Sequence, residues 1–156
     1  MFQMFKKKSL FVSPAAGNLK ELEEVADEAF ASKAMGDGFA IEPVEAAVYS
    51  PVHGTVELAF LTKHAIGLKS ADGVEILIHV GVDTVSLNGE GFTLHIEQGQ
   101  KIKQGDLLLT VDIPLIKDKV PSTDIIVVFT TGEQCRVLKA GRKVTSMEKD
   151  IITLEK

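Results

Sequence analysis

The chain has 156 residues, 45% of them hydrophobic, and a formal net charge of −5. That length suits one domain able to bury roughly 70% of its unfolded surface. Dispersed lysines in an acidic chain exclude the basic footprint of a nucleic-acid-binding protein. A single cysteine, Cys135, excludes an intrachain disulfide and suits a reducing, cytoplasmic compartment.

In chain order, residues 1–10 read as a flexible leader. Phe2, Met4 and Phe5 beside Lys6, Lys7 and Lys8 allow at most a brief peripheral contact with an anionic membrane, and no apolar run approaches the roughly 20 residues of a membrane span. From Phe11 onward the chain reads as one domain of short strands, 11–156. Candidate strands are Gly38 to Ile41, Ala47 to Ser50, Thr55 to Leu61, Ala65 to Lys69, Val74 to Val80, Phe92 to Ile96, Leu107 to Val111, Ile125 to Thr130, Glu133 to Leu138 and Ile151 to Leu154. Their regular spacing, with turn signals at Asp72-Gly73, Asn88-Gly89 and Gly105-Asp106, predicts an all-β, compact antiparallel sandwich or barrel. Only Lys20 to Phe30 and Ile113 to Val120 read as short helical turns, the second stopping before Pro121. Val12 to Leu19 and Tyr49 to Val56 share the pattern x-S-P-x-x-G-x-[LV], which predicts an internally duplicated motif whose prolines edge strands and whose glycines turn the chain.

The chemistry concentrates in two places. Val74 to Val80 is an apolar run carrying His79, followed by Gly81 and Asp83, and His64 heads another strand fifteen residues earlier. Two histidines that end neighbouring strands of one sheet can converge, and paired imidazoles suit metal binding or phosphoryl transfer to nitrogen. His53 and His95 sit among turn and charged residues and read as solvated. Lys101 and Lys103 read as a solvated strand face, and Cys135, between Gln134 and Arg136, as an ordinary thiol.

Met35 to Ile41 (MGDGFAI), Ser50 to Val56 (SPVHGTV), Thr62 to Gly67 (TKHAIG) and His79 to Phe92 (HVGVDTVSLNGEGF) together resemble, in order and spacing, the glucose-type enzyme IIA of the bacterial sugar phosphotransferase system. The resemblance runs from about Phe11 to the C-terminus. It implies a β-sandwich phosphoryl carrier that takes phosphate from the histidine phosphocarrier protein HPr and passes it to a cysteine of a permease IIB domain. It implies further that His79 is phosphorylated, that His64 contacts the phosphoryl group, and that the Thr62 hydroxyl holds His64. Asp27 and Asp83 match acidic rim residues that meet an arginine of HPr. Gly81, Phe30 and Val85 match residues that close the site and line the docking face. Ile66, Leu77 and Val80 stand where the family often has aromatics and are expected to keep that face apolar.

The chemistry fits the resemblance. A phosphohistidine forms when a neutral imidazole nitrogen attacks phosphorus, and its dispersed charge is stabilised by positioned donors. No cofactor is required, although two neutral imidazoles, His64 and His79, form half of a tetrahedral zinc site, so weak zinc binding is expected. The same face also suits a regulatory module that binds other target proteins. Biotinyl or lipoyl carrier domains share the S-P-x-x-G and Q-G-D-x-L patterns, but the lysine hairpin they need is absent.

Overall fold

A computed structural model describes residues 11–155; the leader and its membrane reading lie outside the described residues. The strands are β1 (Gly17–Glu21), β2 (Asp37–Pro43), β3 (Ala47–Tyr49), β4 (Gly54–Ala59), β5 (Ala65–Ser70), β6 (Glu75–Val82), β7 (Phe92–Leu94), β8 (Lys101–Ile102), β9 (Leu107–Val111), β10 (Ser122–Phe129), β11 (Gln134–Val137), β12 (Lys143–Val144) and β13 (Ile152–Glu155). Eight of them form one sheet in the order β12-β1-β2-β10-β6-β5-β4-β8, while β3-β9-β7 and β11-β13 form two smaller sheets. Pairing is antiparallel throughout the described strands. The expected all-β antiparallel architecture is therefore the observed one.

The apolar runs are explained by burial on both faces. In β10, Ile125, Val127 and Phe129 enter the main core. Ile126 and Val128 point the other way, into a second cluster with Leu22, Val25, Phe30, Ala40 and Val82. Phe11 meets Phe39 and Phe129 edge-on, with ring centroids 5.9 and 5.7 Å apart. Deleting the fully buried Phe39 ring would cost about 3–5 kcal/mol.

The duplication is physical. Ser13 and Ser50, both fully buried, donate to the carbonyls two residues on, Ala15 and Val52, at 2.7 and 2.6 Å. Gly17 and Gly54 then open β1 and β4 at equivalent registers. A Cβ on either would strike a neighbouring strand carbonyl, that of Glu42 or Lys69, so close approach demands glycine at both.

Three strands are absent from the ten candidates, although Lys101 in β8 was read as part of a strand face. β1 was obscured by the helical reading of Lys20 to Phe30: Lys20 and Glu21 belong to β1. A 3₁₀ turn, Leu22–Glu24, and a one-turn helix, Glu28–Ala31, follow it. β8 and β12 are two residues long, too short for periodicity. Their signal is a second repeat, Gly99-Gln100-Lys101-Ile102 against Gly141-Arg142-Lys143-Val144, whose Lys-Ile and Lys-Val pairs occupy the two edges of the large sheet. The other short helix, Ile113–Ile116, falls where expected, capped by the Asp112 carboxylate.

Candidate active site

β5 and β6 are neighbours, and their register sets Ala65 opposite His79. His64 therefore stands at the entrance to β5 beside His79, and its carbonyl accepts from Val80 N–H at 2.8 Å. The rings lie nearly perpendicular, 84° apart, with centroids at 4.8 Å. Lys63, in the left-handed region at φ 65°, turns the chain sharply into His64. Phe60 packs on the His64 ring at 5.5 Å and Phe30 on the His79 ring at 5.0 Å.

Each imidazole is held through Nδ1. His79 Nδ1–H donates to the Gly81 carbonyl at 2.9 Å, which leaves Nε2 with its lone pair. His64 Nδ1 shares a 2.8 Å hydrogen bond with the Thr62 hydroxyl. Burial, joined by the neighbouring His64, depresses His79 to about 4. The Gly81 carbonyl and the Asp27 and Asp83 carboxylates pull weakly the other way. Burial likewise lowers His64, against the opposing hydrogen bond at Thr62. Both rings are thus neutral at physiological pH.

The remaining expected residues divide. Asp27 is the N-cap of Glu28–Ala31, its Oδ1 accepting from Ala29 N–H and Phe30 N–H at 2.8 and 3.3 Å. Phe30 is buried against His79 rather than presented outward. Asp83 and Val85 are exposed beyond the end of β6, and Leu77 is half-buried on the His79 face. Ile66 does not belong to this face. Strand alternation turns it the opposite way from Ala65, and it is fully buried in the main core opposite Ile78. Val80 lies in the same core.

The outer face instead carries Leu58, Gly67 and Leu77 in one row across β4, β5 and β6. Leu58 is 45% exposed, and Leu61, on the loop before His64, is 97% exposed. Sequence reading passed over both. Leu61 was hidden by the candidate strand Thr55 to Leu61, which the structure ends at Ala59, leaving Leu61 in the turn that follows.

His53 and His95 are exposed, as expected, and serve local bonds: His53 Nδ1 accepts from Gln104 N–H at 3.1 Å and His95 Nε2 bonds the Thr110 hydroxyl at 3.2 Å. Lys101 and Lys103 are exposed. The half-buried Cys135 thiol is pushed up by burial, away from thiolate reactivity. Among the described residues, no group of three or more His, Cys, Asp or Glu could hold a metal, and no helix is long and apolar enough to cross a membrane.

An all-β sheet presenting two neutral, fixed imidazoles at an apolar rim is the architecture of a histidine phosphocarrier. Residues 9–135 match the family described as phosphoenolpyruvate-dependent sugar phosphotransferase system, EIIA 1, and the chain belongs to that family. It is 47% identical over 135 residues to the PTS system glucose-specific EIIA component of Bacillus anthracis, across 86% of this chain and 82% of the relative. It superposes on the glucose permease IIA from Mycoplasma capricolum with a TM-score of 0.85 and 41% identity, covering 92% of this chain and 94% of that one. The protein is accordingly a phosphotransferase component that works through a phosphohistidine, and its family exchanges phosphate with HPr and IIB domains.

Proposed function

We propose that His79 Nε2 is the phosphoryl acceptor. The observation that carries this is the Nδ1–H bond to Gly81, which makes Nε2 the bare nitrogen of a neutral ring. In the forward step the Nε2–P bond forms as the N–P bond of phospho-HPr breaks, and the bonding electrons return to the donor imidazole. In the second step a IIB cysteine thiolate takes the phosphorus and His79 recovers its lone pair. The Thr62 hydroxyl, donating to His64 Nδ1, keeps the ring proton on His64 Nε2, where it can donate to the phosphoryl oxygens. Asp27 and Asp83 offer carboxylates to a cation of HPr, with Leu77, Val85 and the newly found Leu58 and Leu61 forming the apolar docking ground. We read residues 11–156 as one enzyme IIA unit acting on the cytoplasmic side of a glucose-type permease.

Incubation with phosphoenolpyruvate, enzyme I and HPr, followed by phosphosite mapping, tests this reading. His79→Gln is expected to abolish the gain of one phosphate. His64→Gln is expected to accept phosphate yet pass it to IIB roughly 10²-fold more slowly, the scale for losing one positioned donor. Phosphate on His79→Gln would redirect the assignment to another residue.

The same two Nε2 atoms suit zinc as ligands once the His64 proton moves from Nε2 to Nδ1, where the Thr62 hydroxyl oxygen can accept it. Two protein ligands leave the tetrahedron half empty, so zinc should bind weakly unless a partner carboxylate completes it, and should compete with the phosphoryl group. Calorimetry on wild type and His64→Gln/His79→Gln checks this: tight binding that survives loss of both rings would contradict it. Chelation should leave the fold intact by circular dichroism.

A further inference from the structure

The backbone around Gly81 does something unusual. Val80 faces the main core, yet Val82, two residues on in the same strand, faces the second cluster. Regular alternation would put both on one side. The reversal occurs at Gly81, at φ 82°, where β10 bulges so that Thr123 and Asp124 face one residue of β6. This irregular step aims the Gly81 carbonyl back at His79 Nδ1.

Thr84 lies directly over that step. It is fully buried, and its hydroxyl donates to the Val80 carbonyl at 2.6 Å. Its methyl group fills the space that a Cβ on Gly81 would need. One side chain thus ties the far end of the bulged segment to the residue between His79 and Gly81. The same tie fixes the turn that displays Asp83 and Val85.

We propose that Thr84 is a positioning residue for phosphoryl transfer: its hydroxyl clamps the Gly81 segment so that the Gly81 carbonyl holds the proton of His79 on Nδ1 and keeps Nε2 reactive. The inference rests on His79 being the nucleophile, but its first readout is taken on unphosphorylated protein and so stands or fails apart from phosphosite mapping.

The test is a long-range ¹H–¹⁵N correlation of the His79 ring, with the rate of transfer from phospho-HPr measured alongside. Wild type and Thr84→Ser, which keeps the hydroxyl, should both show one tautomer protonated on Nδ1. Thr84→Val keeps the volume and loses the donor. It should show both tautomers, with transfer slowed roughly tenfold to a hundredfold, as for other small misplacements of a reacting group. A Thr84→Val protein with the single Nδ1–H tautomer and the wild-type rate would overturn the proposal, as would a Thr84→Ser protein as impaired as Thr84→Val. If Thr84→Val does not fold, Thr84→Ala, which also loses the donor, is set against Thr84→Ser. Thr84→Ala should then show both tautomers while Thr84→Ser keeps the single Nδ1–H form. A single Nδ1–H tautomer in Thr84→Ala would count against the clamp.

Discussion

At the scale of single residues, an imidazole that attacks phosphorus must be neutral and must leave the correct nitrogen bare. For His79 the first condition comes from burial and the second from a carbonyl two residues away. Neutrality has a thermodynamic signature. The folded-state value, about 4, lies below the ordinary 6.5. Between these values the unfolded chain binds a proton that the native protein refuses, so stability falls as pH drops from 6.5 toward 4 and is fully present above 6.5. The size is on the order of 3 kcal/mol. His64, lowered by burial too, adds with the same sign. Denaturant titrations at pH 7.5 and 4.5 should show a clear loss of stability in wild type and a smaller one in His79→Gln; equal losses would remove this account. The histidine pair was legible in the sequence because residue type and motif spacing carry it. The Gly81 carbonyl was not, because backbone direction at a bulge has no residue code beyond a permissive glycine. Ile66 was misread because closeness to a motif says nothing about which face of a strand a side chain takes.

Among elements, the one-turn helix Glu28–Ala31 is too short to be stable alone. It persists because Asp27 caps it and Phe30 is clamped beneath it in the second cluster. Asp27 therefore has two separable duties, capping and presenting charge to a partner. Asp27→Asn keeps a capping oxygen and removes the charge. It should preserve thermal stability while weakening the salt dependence of HPr association. Asp27→Ala should in addition destabilise the fold by about 1 kcal/mol and loosen Phe30 from His79, visible as a shifted His79 ring resonance. Equal stabilities of the two variants would deny the cap its importance. Strand existence was readable from apolar runs because both faces of β6 and β10 are covered. Strand ends moved by at most three residues, and the short helical turn expected within Lys20 to Phe30 is present, while the end of β1 in the same range was missed because charged surface residues fit a strand, a 3₁₀ turn and a helix equally well.

Over the whole molecule, a net charge of −5 and an apolar rim at the histidines describe a surface for transient docking. Leu61 is its most exposed apolar member, so it has little to lose in the free protein and something to gain in a complex. Leu61→Ser is expected to leave the melting temperature unchanged and to lower kcat/KM for phospho-HPr by roughly tenfold, the worth of burying part of a leucine. An unaltered kcat/KM would place the contact elsewhere. The duplicated Ser-Pro-x-x-Gly openings made a folded-over architecture readable in advance. The matching sheet edges needed the pairing registers.

Those registers reach further. Reading the large sheet inward from both edges pairs β12 with β8, β1 with β4, β2 with β5 and β10 with β6. Counting from Gly17 and Gly54 makes Gly38 the counterpart of Ala65 and Asp37 that of His64. Across the strand, Val128 stands where the other half has His79. In the silent half Asp37 is spent on local bonds, to Lys33 and to the Cys135 amide, and Val128 is sealed under the second cluster. The molecule is thus a specialised twin and a plain twin sharing one spine. A saturation survey scored separately for transfer and for solubility should diverge along that seam, with substitutions around Val128 registering as lost protein and those around His79 as intact protein that no longer carries phosphate.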